Sequence, residues 1–234
     1  MLLGVTSLFK FYNRKDFTME LKGKKVAFLG DSITQGIGVS APEKKYTDVF
    51  ANITQTTVYN YGISGTRIAK QTKLSENASF DQNFVDRCDS MVDDADIVVV
   101  FGGTNDFGHG DAPIGSFADT EYTTFYGAMH TLCKKLINKY PFATVVFMTP
   151  LHRLVEVSET RTFRDRALTL EDYVDIIKEV CEYYAIPILD LYTVSGMQPS
   201  VDINRELYMK DGLHPTDLGA KKIAERLAAF LRTL

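Results

Sequence analysis

Short apolar runs alternate with longer stretches of helical periodicity along most of this chain. The runs predict five β-strands, at Lys25–Leu29, Thr57–Tyr61, Ile97–Phe101, Thr144–Met148 and Ile186–Leu191. The longer patterns predict helices at about Tyr46–Thr54, Tyr122–Lys139, Leu170–Tyr184 and Thr216–Leu231. Strands that alternate with helices are typical of a parallel sheet with helices on both faces. We therefore predict an α/β protein, a three-layer α/β/α sandwich around a five-stranded parallel sheet of strand order 2-1-3-4-5.

Two long connections interrupt this alternation, after the third and the fourth predicted strand. The segment Asp106–Asp119 is polar and rich in glycine, and His152–Thr169 is mostly polar. Each follows the carboxyl end of a strand, which is the edge of an open α/β sheet where ligands bind. Long connections inside a compact domain often form the walls of a functional site. We expect both to flank such a site as irregular segments.

The chain has no internal repeat, no low-complexity tract and no linker rich in Pro, Gly or Ser. One domain is therefore predicted, at residues 25–234, preceded by an N-terminal extension at residues 1–24. The stretch Met1–Phe9 is apolar, but it lacks preceding basic residues and a clear cleavage site, so it is a weak candidate for a signal peptide. Two other interpretations stay open, an extension that packs on the domain and a true start at Met19.

Composition narrows the class of protein. The 234 residues are 45% hydrophobic and 24% charged, as in ordinary globular proteins. The net charge of −4 argues against a surface for nucleic acid or for anionic membranes. Nothing in the sequence approaches the length of a transmembrane segment. Three separated cysteines predict neither a disulfide framework nor a metal site, and they fit a reducing, cytoplasmic location unless the N-terminal stretch directs secretion.

Polar residues and glycines follow the predicted strands where each strand ends. The clusters are Gly30-Asp31-Ser32, Gly62-Ile63-Ser64-Gly65, Gly103-Thr104-Asn105-Asp106 and, before the last helix, Asp211-Gly212-Leu213-His214. We expect them to meet at one edge of the sheet. Acyl transfer needs a hydroxyl, a base, an anion that orients the base, and donors for the oxyanion. The four clusters contain residues of all these types.

These four blocks, in this order, resemble those of the GDSL/SGNH hydrolase family, which has a flavodoxin-like fold. The resemblance runs from the first predicted strand to the C-terminus and implies that Ser32 is the nucleophile. It also implies that His214 is the base and Asp211 its partner. The implied oxyanion donors are the Ser32 N–H, the Gly65 N–H and the Asn105 side-chain amide. The first block reads Gly-Asp-Ser-Ile rather than Gly-Asp-Ser-Leu, which keeps an apolar residue.

Neighbouring residues have competing interpretations. Gly62 is a rival of Gly65 as oxyanion donor. Ser64 is a rival serine, but it lacks the strand-to-turn setting and is interpreted as a turn residue. Asp106 is interpreted as a residue that pins its loop. We assign four polar residues to the substrate pocket: Asp31, His109, His152 and Arg153.

We predict a serine esterase that acts through an acyl-enzyme on Ser32, without cofactor or metal. The expected partner is a small-molecule or carbohydrate ester with a short acyl group, because the two connections are too polar for the groove of a long-chain lipase. Two alternatives stay open. A non-catalytic binding domain would make the four blocks coincidental. A metal-dependent phosphoesterase would use polar residues at the strand ends, namely Asp31, Asn105, Asp106, Asp211 and His214.

Overall fold

The computed structural model describes residues 18–234. Five parallel strands form its main sheet, in the order β2-β1-β3-β4-β7. Their bounds are β1 Lys25–Gly30, β2 Thr57–Gly62, β3 Ile97–Phe101, β4 Thr144–Met148 and β7 Ile188–Leu189. A separate antiparallel pair consists of β5 Val157–Phe163 and β6 Arg166–Thr169. The predicted order 2-1-3-4-5 is confirmed when the strands of the main sheet are counted along the chain.

Nine α-helices lie within the described residues. They are α1 Ser32–Gln35, α2 Tyr46–Thr54, α3 Phe84–Arg87, α4 Thr104–His109, α5 Phe125–Lys139, α6 Leu170–Tyr183, α7 Leu191–Val194, α8 Asp202–Tyr208 and α9 Asp217–Leu231. Threonine side chains accept backbone N–H groups at the starts of the three longest helices, at Thr124, Thr169 and Thr216. Such caps satisfy donors that the first helical turn leaves unpaired. The four predicted helices are confirmed with small changes at their ends.

The two faces of the sheet are both buried. Side chains alternate between the faces along a strand, so Val26 and Phe28 face one helical layer while Ala27 and Leu29 face the other. The first layer contains α2 and α9, and the second contains α5 and α6. A strand buried on both sides requires apolar residues at every position. The burial of both faces explains the continuous apolar runs that predicted β1 and β3. The predicted three-layer α/β/α fold is confirmed.

The connection His152–Thr169 is more regular than we expected, because it contains the hairpin of β5 and β6. Arg164 and Asp165 form its turn, with φ of 51° and 60°. Two left-handed residues give the turn that suits the twist of a tight hairpin. Only Val157 and Phe163 are apolar within this first strand, so periodicity did not predict it. The dipeptide Arg-Asp is not among the usual turn pairs, so the reversal had no recognisable turn signal either.

The connection after β3 also begins with regular structure. Asp106 lies inside α4 rather than at the start of a loop, and its carboxylate accepts the N–H groups of Ile68 and Ala69. Asp106 therefore pins a neighbouring segment, in line with its predicted structural role. The predicted strand Ile186–Leu191 is reduced to β7, at the edge of the sheet, where Pro187 has no N–H to donate.

The buried face of α9 differs from the prediction at its start. The helical spacing of Leu218, Ile223 and Leu227 predicts that Leu218 faces the core, but it is 51% exposed. The buried stripe contains small residues instead, with Ala220 and Ala224 beside Ile223 and Leu227. A pattern search that weighs only large apolar residues misses such small buried side chains.

Part of the predicted N-terminal extension packs on the domain. Leu21 is buried in the core, and the backbone N–H of Met19 donates to the Arg232 carbonyl at 3.3 Å. The interpretations of Met1–Phe9 lie outside the described residues. Within residues 18–234, no helix has the length and apolar character needed to cross a membrane. The three cysteines are free and buried.

The first prediction concerns Gly62, at the end of β2. A methyl group there would lie 2.1 Å from the backbone nitrogen of Gln35 in α1. Because backbone atoms cannot yield as a side chain does, Gly62→Ala should lower the free energy of unfolding by about 3 kcal/mol. In the control Gly23→Ala, the new methyl has no neighbour within 4 Å, and the left-handed backbone alone should cost about 1 kcal/mol. Urea denaturation measures both, and equal losses would contradict the prediction.

Candidate active site

Ser32 occupies a sharp turn between β1 and α1. The strand ends at Gly30, where a side chain would collide with Thr34. The carboxylate of Asp31 accepts the N–H of Ile33 at 2.9 Å and so caps α1. Ser32 is the first residue of this helix, and its N–H has no acceptor among residues 18–234. A serine hydroxyl and a free N–H thus lie together at the carboxyl edge of the sheet.

A chain of hydrogen bonds connects Ser32, His214 and Asp211. The Nε2 atom of His214 lies 3.0 Å from the Ser32 Oγ, and its Nδ1 lies 2.7 Å from Asp211 Oδ2. An ionised carboxylate only accepts, so Nδ1 carries the ring proton and Nε2 is the acceptor for the serine hydroxyl. Partial burial opposes the charge of Asp211, but hydrogen bonds from His214 hold the pKa of this carboxyl below its usual value. The arrangement can therefore remove a proton from Ser32.

Two further donors follow the ends of the neighbouring strands β2 and β3, at the same edge of the sheet as Ser32. The side-chain amide of Asn105 donates one hydrogen to the Thr66 carbonyl at 3.0 Å, which fixes its orientation and leaves the second hydrogen available. Gly65 has a φ of 74°, and its N–H has no acceptor in the part of the chain that the structure describes. By contrast, the N–H of Gly62 already donates to Asn60 at 2.8 Å. This difference favours Gly65 over Gly62 as a donor for an oxyanion.

Arg87 holds these segments together, and the sequence analysis missed it. Its guanidinium donates to the carbonyls of Tyr61 and Gly30, and to the hydroxyl of Thr66. These contacts connect the ends of β1 and β2 with the segment that follows Gly65. Burial lowers the pKa of Arg87 to about 10. A single arginine in an unpredicted short helix matches no motif, so this role had no sequence signal.

Asp31 lies beneath the site rather than in a substrate pocket. Its side chain is only 1% exposed, and its carboxylate is committed to capping α1. The assignment of Asp31 to the pocket is therefore wrong. Burial raises the pKa of Asp31 to about 7, and burial also raises the pKa of the nearby Asp106 to about 6. Two poorly solvated carboxyl groups thus lie under the strand ends.

The other three residues assigned to the pocket lie on the two long connections. Arg153 donates to the Thr104 carbonyl at 3.0 Å, one residue before Asn105. His109 is exposed at the end of α4, and its Nδ1 lies 2.8 Å from Arg67. His152 is hydrogen-bonded instead to Glu156 and stacks on Tyr192, with ring centroids 3.8 Å apart. Arg153 and His109 are thus placed beside the helix that carries Asn105.

The rival residues are arranged differently. The hydroxyl of Ser64 is buried and has no hydrogen-bond partner among the described residues, so no base is positioned for it. Among residues 18–234, no group of three or more His, Cys, Asp or Glu side chains is placed to hold a metal ion. The carboxylates of Asp31 and Asp106 instead accept backbone N–H groups.

Comparison with known proteins assigns the family. Residues 28–222 match the model of the GDSL-like Lipase/Acylhydrolase family, and the chain belongs to this family. Fold and family together place it among the carboxylic ester hydrolases. At the level of individual proteins, no curated sequence matches.

Solved structures resemble the chain over almost its whole length. One shares 34% identity, covers 91% of this chain and 98% of its own, and has a TM-score of 0.79. A protein from Lactobacillus plantarum shares 31%, with coverages of 90% and 97% and a TM-score of 0.77. A possible lipase from Chitinophaga pinensis DSM 2588 shares 25%, with coverages of 89% and 98% and a TM-score of 0.65.

The second prediction concerns the buried carboxyl of Asp31. Its pKa of about 7 in the folded protein lies above the ordinary value, so its contribution to stability is present at low pH and is lost as pH rises through 7. Asp31→Asn does not titrate. The difference in the free energy of unfolding between this variant and the wild type should therefore shift in favour of the variant by about 2 kcal/mol from pH 5 to pH 8.

Urea denaturation of both proteins at the two pH values measures this difference. The matched control is Asp165→Asn, at the exposed turn of the hairpin, which should show no such change between pH 5 and pH 8. A difference between Asp31→Asn and the wild type that does not vary with pH would contradict the prediction.

Proposed function

We propose that the protein hydrolyses short-chain acyl esters through an acyl-enzyme on Ser32. The observation that carries the proposal is the hydrogen-bond chain from Ser32 to His214 and on to Asp211, with distances of 3.0 Å and 2.7 Å. A serine hydroxyl is a weak nucleophile until a base accepts its proton. Neutral His214 supplies that base, and Asp211 orients the ring and stabilises its charged form.

The reaction follows from this arrangement. As the Ser32 Oγ attacks the ester carbonyl carbon, its proton passes to His214 Nε2. The resulting oxyanion accepts hydrogen bonds from the N–H groups of Ser32 and Gly65 and from the amide of Asn105. Collapse of this intermediate breaks the bond to the alcohol, which leaves with the proton from His214. Water then attacks the acyl-enzyme by the same steps, releases the acid and restores Ser32.

The surroundings support a short acyl group and a polar alcohol. The helix that carries Asn105 ends at the exposed His109, and the guanidinium of Arg153 lies along it. Charged and hydrogen-bonding groups suit a hydroxylated partner better than a long alkyl chain, which needs a broad apolar surface. We infer a small-molecule ester as the partner, with an acetylated carbohydrate as the expected class.

The third prediction tests the nucleophile. Ser32→Ala should reduce kcat for p-nitrophenyl acetate by at least about 10⁴-fold, because the positioned nucleophile is lost. The fold should persist by circular dichroism, since the substitution removes one hydroxyl at the edge of the sheet and adds no atoms. The control is Ser64→Ala, which removes the rival hydroxyl and should keep most of the activity.

A chelator added to the wild type distinguishes the proposed serine esterase from a metal-dependent phosphoesterase. The proposed mechanism expects an unchanged rate with the chelator. A loss that a divalent cation restores, or substantial turnover by Ser32→Ala, would contradict the proposal.

The fourth prediction concerns substrate size. In a series of p-nitrophenyl esters, kcat/KM should fall steadily beyond about four acyl carbons, because each methylene that stays in water forfeits roughly 0.8 kcal/mol of burial. Acetylated sugars measured beside the series should be hydrolysed as well. A value of kcat/KM that climbs toward long chains would contradict the short-chain preference and leave the role of Ser32 untouched.

A further inference from the structure

Helix α4 presents two adjacent rows of residues beside the proposed site. Asn105 and His109 are four residues apart, so they share one row, and Thr104 and Gly108 share the next. Asn105 is buried, whereas Gly108 and His109 are exposed. The outer end of α4 is therefore an accessible surface one helical turn from the amide of Asn105.

The guanidinium of Arg153 lies along the row of Thr104 and Gly108. Its Nη1 donates to the carbonyl and the hydroxyl of Thr104 at 3.0 Å and 3.2 Å. A methyl group on Gly108 would lie 2.7 Å from the same nitrogen, so the absence of a side chain there makes room for Arg153. The Nε and Nη2 atoms of Arg153 have no acceptor among residues 18–234, and they are not closed off from solvent.

The charge of Arg153 has no paired carboxylate. No carboxylate oxygen of the described residues lies within 4.0 Å of its guanidinium. The acidic group next to it in sequence is Glu156, whose oxygens accept from the backbone N–H of Arg153, from His152 and from Tyr192. An arginine keeps its charge at any physiological pH. Glu156 and Asp31 act on this charge only at longer range, without a direct ion pair. A half-buried cation with free donors and no carboxylate in direct contact favours an anion as its partner.

His109 adds a neutral donor beside this cation. Arg67 can only donate, so the Nδ1 of His109, at 2.8 Å, is the acceptor and Nε2 carries the proton. Although His109 as a whole is exposed, neighbouring groups desolvate its ring; this desolvation, followed by the charge of Arg67, lowers the pKa of His109 and keeps the ring neutral at pH 7. Arg67 itself is paired with Asp81 at 2.9 Å. His109 thus offers an N–H donor and is not arranged as a base.

The backbone beside Arg153 also touches the loop that carries His214. The N–H of Leu154 donates to the Gly212 carbonyl at 2.8 Å, between Asp211 and His214. Arg153 is therefore held between the segment of Asn105 and the segment of His214. A group bound to its guanidinium would therefore lie between the segments that carry Asn105 and His214.

We propose that Arg153 and His109 form an anion subsite, which selects esters that carry a carboxylate close to the scissile bond. The subsite rests on the proposed ester hydrolysis and specifies its substrate class. The guanidinium supplies the charge, the Nε2–H of His109 supplies a second donor, and Gly108 leaves the surface between them open. The carboxylate belongs to either the acyl part or the alcohol part of the ester, and the experiment distinguishes the two.

The test compares esters that differ in charge and little in size. For the alcohol side, kcat/KM is measured for 4-acetoxybenzoate and its methyl ester. For the acyl side, it is measured by acid release from monomethyl succinate and methyl butyrate, whose alkoxide leaving group is too poor for the neighbouring carboxylate to displace. The wild type should prefer the anionic member of at least one pair by about tenfold, as expected for a charge-assisted hydrogen bond. The protein's own net charge of −4 works against this preference.

Variants assign the preference to the subsite. Arg153→Gln should abolish it, Arg153→Lys should keep part of it, and Gly108→Ala should weaken it by displacing the guanidinium. Because the readout is a ratio of two esters on one protein, partial loss of folded enzyme cancels. The control is Arg164→Gln, at the exposed hairpin turn, which removes the same charge and should keep the full ratio.

Two results would overturn the subsite. One is a wild type that hydrolyses both members of each pair equally or prefers the neutral members. The other is an equal loss of preference in Arg153→Gln and Arg164→Gln, which would assign it to overall charge. A wild type that cleaves none of the four esters would instead contradict the proposed ester hydrolysis, and the subsite with it.

Discussion

The hydrogen bond between Ser32 and His214 joins residues that are 182 positions apart, and the rest of the structure serves to make it. Ser32 is fixed by the end of β1 and the start of α1, and His214 by the loop before α9. The segment after α1 connects the Ser32 side of this contact with the His214 side. A methyl on Gly38 would lie 2.9 Å from the Cβ of His214, and Ser40 hydrogen-bonds to Asp217 at the start of α9. The start of α9 is thereby connected to the segment that follows Ser32 as well as to the loop that carries His214.

Beneath this contact lies a layer of buried polar groups that is costly to maintain. Asp31 and Asp106 are both almost fully buried, and burial raises the pKa of each. Arg87 compensates in part, because its charge lies close to Asp31 and its donors satisfy carbonyls at the ends of β1 and β2. Buried networks of this kind fix a single geometry, since any displacement leaves a polar group without a partner. That rigidity suits a site whose donors must be in place before the substrate arrives.

The sequence predicted the elements that depend on large apolar side chains. Runs such as Ile97–Phe101 specify a strand buried on both faces. Such a strand lies inside the sheet, and β3 accordingly pairs with β1 on one side and with β4 on the other. It did not predict the hairpin of β5 and β6, because the reversal depends on the left-handed backbone of Arg164 and Asp165, residues with no strong turn preference. It misplaced Leu218, because the buried stripe of α9 runs through Ala220 and Ala224 beside Ile223 and Leu227.

The candidate site likewise contains residues that the sequence predicted and residues that it did not. Four blocks placed Ser32, Asn105 and His214 at one sheet edge, since each follows a strand end or precedes a helix. The position of Arg87 could not be inferred, because it acts through contacts with backbone carbonyls from distant segments. Arg153 was assigned to the substrate pocket, but its contact with the Thr104 carbonyl could not be inferred for the same reason. Such contacts leave no pattern in the sequence. Asp31 was misassigned to the pocket for a related reason, as its side chain turns inward to cap α1.

The central claim is that His214 makes Ser32 the reactive serine of this chain. The most direct measurement is covalent labelling with a fluorophosphonate, followed by mass spectrometry of the intact protein and of its peptides. We predict one adduct per chain, located on the peptide that contains Ser32, and much slower labelling of His214→Ala under the same conditions. An adduct on Ser64, or labelling of His214→Ala at the wild-type rate, would contradict it.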